Sequence, residues 1–108
     1  MRELFTIDLK DYNKGGNVYK RPSSRAIIIK NGKLALVYSK RYDYYKFPGG
    51  GIKEYESIID ALIREVKEEV GLIIKESIKE YGYVKRIQKF NQDQIFLQDN
   101  YYYLCDVE

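Results

Sequence analysis

Histidine and tryptophan are missing from this 108-residue chain, cysteine and methionine occur once each, and proline twice. Without histidine, proton transfer near neutral pH falls to a carboxylate, a tyrosine or a lysine. A histidine–cysteine zinc site cannot be built either. Only oxygen ligands remain for a metal, which points to Mg²⁺ or Mn²⁺, with Ca²⁺ chemically less useful. The single cysteine, Cys105, leaves no partner for an intrachain disulfide. No stretch approaches the roughly 20 apolar residues that span a bilayer, so no membrane partner is expected. The opening Met1-Arg2-Glu3-Leu4 lacks the apolar run of a secretory signal, and a cytoplasmic location is the expectation. No helix-turn-helix, zinc-finger or basic-zipper pattern is present, so duplex DNA is not an expected partner.

The composition is that of a folded chain: 44% hydrophobic and 32% charged residues. At 12.8 kDa, residues 1–108 are expected to form one domain around one core. The net charge of +3 is mild and its cations are scattered, which weakly favours an anionic ligand. No internal repeat or low-complexity tract divides the chain.

Strands dominate the local pattern. An N-terminal strand is expected near Leu4 to Leu9, then an irregular connection from Asp11 to Pro22 carrying Gly15-Gly16-Asn17. Ser24 to Lys30 and Lys33 to Tyr38 read as a hairpin closed by Asn31-Gly32. Tyr42 to Tyr45 reads as a polar aromatic loop leading into Phe47-Pro48-Gly49-Gly50-Gly51. A helix is expected from Glu56-Ser57, with Ser57 as cap and Asp60 in the first turn, to a stop at Gly71. Further strands are expected at Leu72 to Ile74, Ile78 to Phe90 and Tyr101 to Val107, with a turn at Asn91-Gln92-Asp93.

At about 100° per residue, Ile59, Leu62, Ile63, Val66 and Val70 share one arc of that helix and Glu65, Glu68 and Glu69 another. Three carboxylates at such spacings repel one another, and a hard metal ion would relieve them. The plain alternative is a solvated acidic face neutralised by Arg64 and Lys67.

The spacing of Gly50, Glu56 and then Arg64-Glu65-Val66-Lys67-Glu68-Glu69-Val70-Gly71-Leu72 resembles the signature box of the Nudix hydrolases at every fixed position. The resemblance implies an α/β (α+β) Nudix fold, a mixed β-sheet with a central catalytic helix. It implies hydrolysis of a phosphoanhydride in a nucleoside diphosphate-linked or nucleotide substrate by metal-activated water, without a covalent enzyme intermediate. Carried onto this chain, Glu68 and Glu69 are metal ligands, Glu65 is a third ligand or the base, and the Gly49 carbonyl is a further ligand. Gly50, Glu56, Arg64 and Gly71 resemble the scaffold of the box. Some members place a phosphate-contacting cation where Lys40 and Arg41 stand, and Tyr45, like Tyr42 and Tyr44, offers a ring that can stack on a base. A solvated strand end is the plainer reading of Lys40 and Arg41.

Nudix domains usually continue past a strand like Tyr101 to Val107 into a C-terminal helix, whereas this chain stops at Glu108. The expectation is a fold without that helix, truncated at its C-terminus, with one sheet face exposed and a homodimer possible. The missing region often supplies another acid, for which Asp93, Asp99 and Asp106 are candidates. A non-catalytic Nudix-like module binding nucleotides or RNA is the alternative function, though it gains nothing obvious from three crowded glutamates. An isoprenoid-diphosphate isomerase of the same fold would want a nucleophilic cysteine near the site, a context Cys105 lacks.

Overall fold

The computed structural model describes residues 1–108. In chain order the strands are β1 (Glu3–Asp8), β2 (Asn17–Lys20), β3 (Ser23–Ile27), β4 (Ile29–Lys30), β5 (Lys33–Leu34), β6 (Val37–Ser39), β7 (Tyr44–Lys46) and β8 (Gly49–Gly51). The single helix α1 (Ile58–Val70) follows, then β9 (Ile74–Asn91) and β10 (Gln94–Val107). The main sheet runs β1-β9-β10-β3-β8, with β2 also on β10. It is mixed: β9 and β10 form a long antiparallel hairpin, β1 lies parallel to β9, and β8 lies antiparallel to β3. Strands β2 and β3 pair in turn with the other edge of β10, both parallel to it.

Period-two alternation along β10 buries Tyr103, Cys105 and Val107 and exposes Leu104 and Asp106. The buried set meets Ala26 of β3, Ile28 just after it, Ile74, and Leu62 and Val66 of α1 in one core. Each of Leu62 and Val66 contributes about 1.5–3 kcal/mol through that burial. The helix ends follow the sequence signals. Ser57 Oγ accepts the Asp60 N–H at 3.0 Å, and Gly71, at φ 70°, donates its N–H to the Lys67 carbonyl at 3.0 Å. Asn31 and Gly32, at φ 54° and 71°, close the β4–β5 turn as that dipeptide predicts.

Several expectations are corrected. The run Lys33 to Tyr38 is not one strand: Leu34 ends the first hairpin, and Val37–Ser39 pairs instead with Tyr44–Lys46. Tyr44 and Tyr45, expected in a loop, are therefore strand residues, with Asp43 at φ 52° in the turn. The glycines Gly49–Gly51 are an edge strand, and Asn17–Lys20 within the supposed irregular connection is another. Only Ile74 of Leu72 to Ile74 is extended, as the first residue of β9. The polar run Gln94 to Asn100 is strand because β10 is bonded on both edges, which outweighs the low β-propensity of Gln, Asp and Asn.

The opposite sheet face carries Phe96, Gln98, Asn100 and Tyr102 of β10 beside Arg25 and Arg86. No helix of this chain covers it.

Candidate active site

Arg64 organises the acid helix. Its Nε and Nη2 donate to the two oxygens of Glu56 at 2.6 and 2.8 Å, a bidentate pair that ties α1 to the loop before it. Nη2 also donates to the Gly51 carbonyl at 3.3 Å, fixing β8 to the same point. Nη1 donates to Glu65 Oε1 at 3.0 Å and Glu68 Oε2 at 3.2 Å. The Lys53 N–H adds a bond of 3.1 Å to Glu56. The Arg64 guanidinium foremost, then that amide, holds the Glu56 carboxyl down to about 2. Glu56 in turn raises the already high pKa of Arg64.

Gly50 is small because Glu65 stands over it. A Cβ at Gly50 would lie 2.6 Å from the Glu65 carboxylate, so only glycine lets β8 and the acid face approach this closely. Gly49, at φ 144°, faces backbone instead: an added Cβ would overlap the Ser24 carbonyl and lie 2.9 Å from Arg25 Cα. Its own carbonyl accepts from Arg25 Nη1 at 3.1 Å.

Glu69 points elsewhere. Its Oε1 is buried without a hydrogen-bond partner, and the nearest cation, Lys46 Nζ, is 4.0 Å away. The three helix carboxylates are thus close neighbours on α1 but are not drawn to one point, and no ready-made group of three metal-ligating acids exists in the chain. In donor chemistry the residues fit a hard divalent cation: all are oxygens, and one is a desolvated carboxylate oxygen that lacks a donor. Arg64 stands as the counter-ion of Glu65 and Glu68.

Lys46 links the acids to a cleft of about 740 Å³ on the helix-free face. Arg25, Lys46 and Arg86 line it, together with the rings of Phe47, Phe96 and Tyr102, and no carboxylate does. Phe47 and Tyr102 pack edge to face at 5.5 Å. Tyr45 lines the rim, 68% exposed. Lys40 and Arg41 lie in the β6–β7 turn outside the cleft lining, with Arg41 over the Tyr42 ring at 5.2 Å. Gly71 closes the helix and touches none of these groups.

Sequence reasoning missed the cleft cations. Arg25 alternates with Ala26 and so faces away from the core, a period-two signal that was readable once β3 was recognised. Lys46 and Arg86 gave no local signal, because β7 lies in a separate ribbon with β6 and meets the β9 residue only through the tertiary fold.

Relatives of the chain include an RNA pyrophosphohydrolase, an mRNA hydrolase and an 8-oxo-dGTP diphosphatase. The chain is 39% identical over 67 residues to an RNA pyrophosphohydrolase of Campylobacter jejuni, covering 56% of this chain and 43% of that protein. It is 37% identical over 65 residues to the m7GpppN-mRNA hydrolase of Saccharomyces cerevisiae, covering 60% of this chain but 7% of that protein. The chain thus spans less than half the length of either relative. A crystal structure of the Bacillus subtilis pyrophosphohydrolase BsRppH superposes with a TM-score of 0.63 at 26% identity, covering 90% of this chain and 54% of that one. The mixed sheet and its helix match the fold of the part of that structure which the chain covers. With its box complete from Gly50 to Leu72 and the NUDIX domain family matching residues 20–108, this chain belongs to the NUDIX family.

Proposed function

We propose that the chain is a divalent-metal-dependent pyrophosphohydrolase that cleaves a phosphoanhydride bond in a nucleotide or other diphosphate-linked substrate. The observation that carries this reading is the junction at Lys46. It joins the acid face of α1, with the unpartnered Glu69 oxygen, to a cationic, aromatic cleft fit for a nucleotide. Glu68 and Glu69 would hold Mg²⁺ or Mn²⁺, with Glu65 and the Gly49 carbonyl as further ligands or, for Glu65, as the base. When bound, such an ion neutralises diphosphate charge and lowers the pKa of water.

The chain's own residues do the rest. Arg64 fixes Glu56 and the Gly51 carbonyl, so that the loop and helix keep one geometry. Lys46 and Arg25 offer donors to phosphate oxygens at the cleft end nearest α1. Phe47 and Tyr102 form an apolar wall against which a base can stack. A water attacking phosphorus needs in-line placement more than a protein nucleophile, which suits a site with no histidine and a cysteine buried in the core.

The test is phosphate release, coupled to a phosphatase, from a panel of nucleotides with Mg²⁺ or Mn²⁺, alongside Glu68→Gln. Metal-dependent turnover that falls at least about a hundredfold in the variant is expected. Nucleotide binding with no turnover at any metal concentration would refute hydrolysis and favour a binding module. The cleft alone would serve such a module, but the intact acid face would then have no role.

A further inference from the structure

We infer that Arg25 is the positioning residue of the Gly49 carbonyl, the group that aims this backbone oxygen at a divalent cation held by the helix acids. The inference deepens the proposed hydrolase reading and takes its metal from it. Ala26 N–H donates to the Pro48 carbonyl at 2.8 Å, which makes that a hydrogen-bonded pair of the β3–β8 ladder. The neighbouring pair, Arg25 with Gly49, is then of the kind that exchanges no ladder bonds. Both polar groups of Gly49 therefore point away from β3, and β8 is the edge of the sheet, where no further strand meets them. Gly49 is buried all the same, and a buried carbonyl needs a donor. Arg25 is that donor: its Nη1 donates to the Gly49 carbonyl at 3.1 Å and to the Phe47 carbonyl at 3.4 Å. Two residues apart in an extended strand, those carbonyls share one direction, so one nitrogen spans both.

Little else fixes this stretch. Pro48 has no N–H, so its pairing with Ala26 rests on one bond where an ordinary pair has two. Gly49, at φ 144°, lacks the side chain that would otherwise restrict its backbone. Arg25 makes no ion pair, and the hydrogen bonds of its side chain go to these two carbonyls alone. A plain surface ion pair is thus not what holds the guanidinium there. A guanidinium beside the oxygen also repels a divalent ion, an effect of opposite sign. Positioning outweighs it, because a carbonyl has two lone pairs, one for the donor and one for the ion, and Glu65 beside β8 offsets the added charge. A hydrogen bond that orients a ligand is worth about 10- to 100-fold in metal affinity.

The test is Mn²⁺ binding without nucleotide, read by electron paramagnetic resonance as loss of the free-ion signal, in wild type, Arg25→Met and Arg25→Lys, with circular dichroism of each. Leaving nucleotide out removes any part that Arg25 plays in holding phosphate. Arg25→Met should bind Mn²⁺ about 10- to 100-fold more weakly while keeping the native spectrum. Arg25→Lys, whose single nitrogen can still donate to both carbonyls, should lose less. The inference is overturned if Arg25→Met binds Mn²⁺ as tightly as wild type or more tightly, or if the lysine variant loses as much as the methionine one. It is also overturned if Arg25→Met does not fold, since Arg25 would then hold the sheet rather than the ligand. A wild-type chain that binds no Mn²⁺ overturns both this inference and the hydrolase reading. Mn²⁺ affinity indifferent to Arg25, in a chain that hydrolyses nucleotides, refutes the positioning role alone. Mn²⁺ binding that depends on Arg25, in a chain that hydrolyses nothing, refutes the hydrolase reading alone.

Discussion

Replacing Gly49 and Gly50 by alanine, one at a time, separates what the glycine strand does for folding from what it does for the acid face. At Gly49 the backbone stands at φ 144°, where an L-residue is strained by about 1–3 kcal/mol. Its new methyl would also run into the Ser24 carbonyl and Arg25 Cα, which are backbone and cannot swing aside. Forcing β3 and β8 apart adds about 1–3 kcal/mol. The sum, about 2–6 kcal/mol, is a large part of the 5–15 kcal/mol that holds an ordinary domain together. At about 4–8 °C per kcal/mol, Gly49→Ala should lower Tm by about 8–48 °C. At Gly50 the obstacle is the far end of a glutamate side chain, 2.6 Å from the added Cβ. Glu65 can rotate, giving up its 3.0 Å bond to Arg64, so Tm should fall by only a few degrees, on the scale of one exposed ion pair. Activity should suffer more, because a displacement of about 1 Å at a positioned group costs on the order of a hundredfold. Thermal unfolding by circular dichroism and metal-dependent phosphate release read the two effects. Equal losses of Tm in both variants, or full activity in Gly50→Ala, would refute this account of the two glycines.

Ser57→Ala removes the hydroxyl that accepts the Asp60 N–H, and should cost about 1 kcal/mol, seen as a Tm lowered by about 4–8 °C. The Glu56 carboxyl sits near 2 in the folded chain against 4.5 ordinarily, so its stabilising effect is complete above pH 4.5 and vanishes as pH falls through about 2. Tm measured from pH 6 to pH 2 should therefore drop more steeply in wild type than in Glu56→Gln; parallel curves would contradict the Arg64–Glu56 assignment. Cys105 is buried and its thiol is pushed up to about 11 by that burial, so a thiol reagent at pH 8 should label it only when the chain is unfolded. Rapid labelling of the native chain would show that β10 opens. Lys46→Met should raise KM for a diphosphate substrate more than it lowers kcat if the ammonium binds phosphate in ground and transition states alike.

What the sequence made legible were features whose cause is local. Ser57, Asp60 and Gly71 mark the helix because capping is a contact between residues three or four apart. Asn31-Gly32 marks its turn because both residues take positive φ there. Glu56 and Arg64 were grouped in the sequence only through the resemblance to the Nudix box, since eight residues apart they carry no spacing signal of their own. Gln98, Asp99 and Asn100 were illegible as strand since nothing in their side chains favours it, and their conformation is imposed by neighbours from β9 and β3. The glycine strand was hidden for the same reason. Three residues without side chains carry no pattern, and their pairing with Ser23–Arg25 is visible only in the sheet. The cleft was illegible throughout because Arg25, Lys46 and Arg86 come from three distant segments.

Strand β10 carries β9 on one edge and β2 followed by β3 on the other. Its partner β9 is reached by a tight reversal, whereas β3 must close a loop of some seventy residues to arrive alongside. The hairpin can therefore assemble early and cheaply, while β3, and with it β8 and its glycines, docks late and at greater entropic cost. The chemical apparatus would then be the last part of the molecule to take shape and the first to let go, so gentle destabilisation should silence the chain well before its sheet melts.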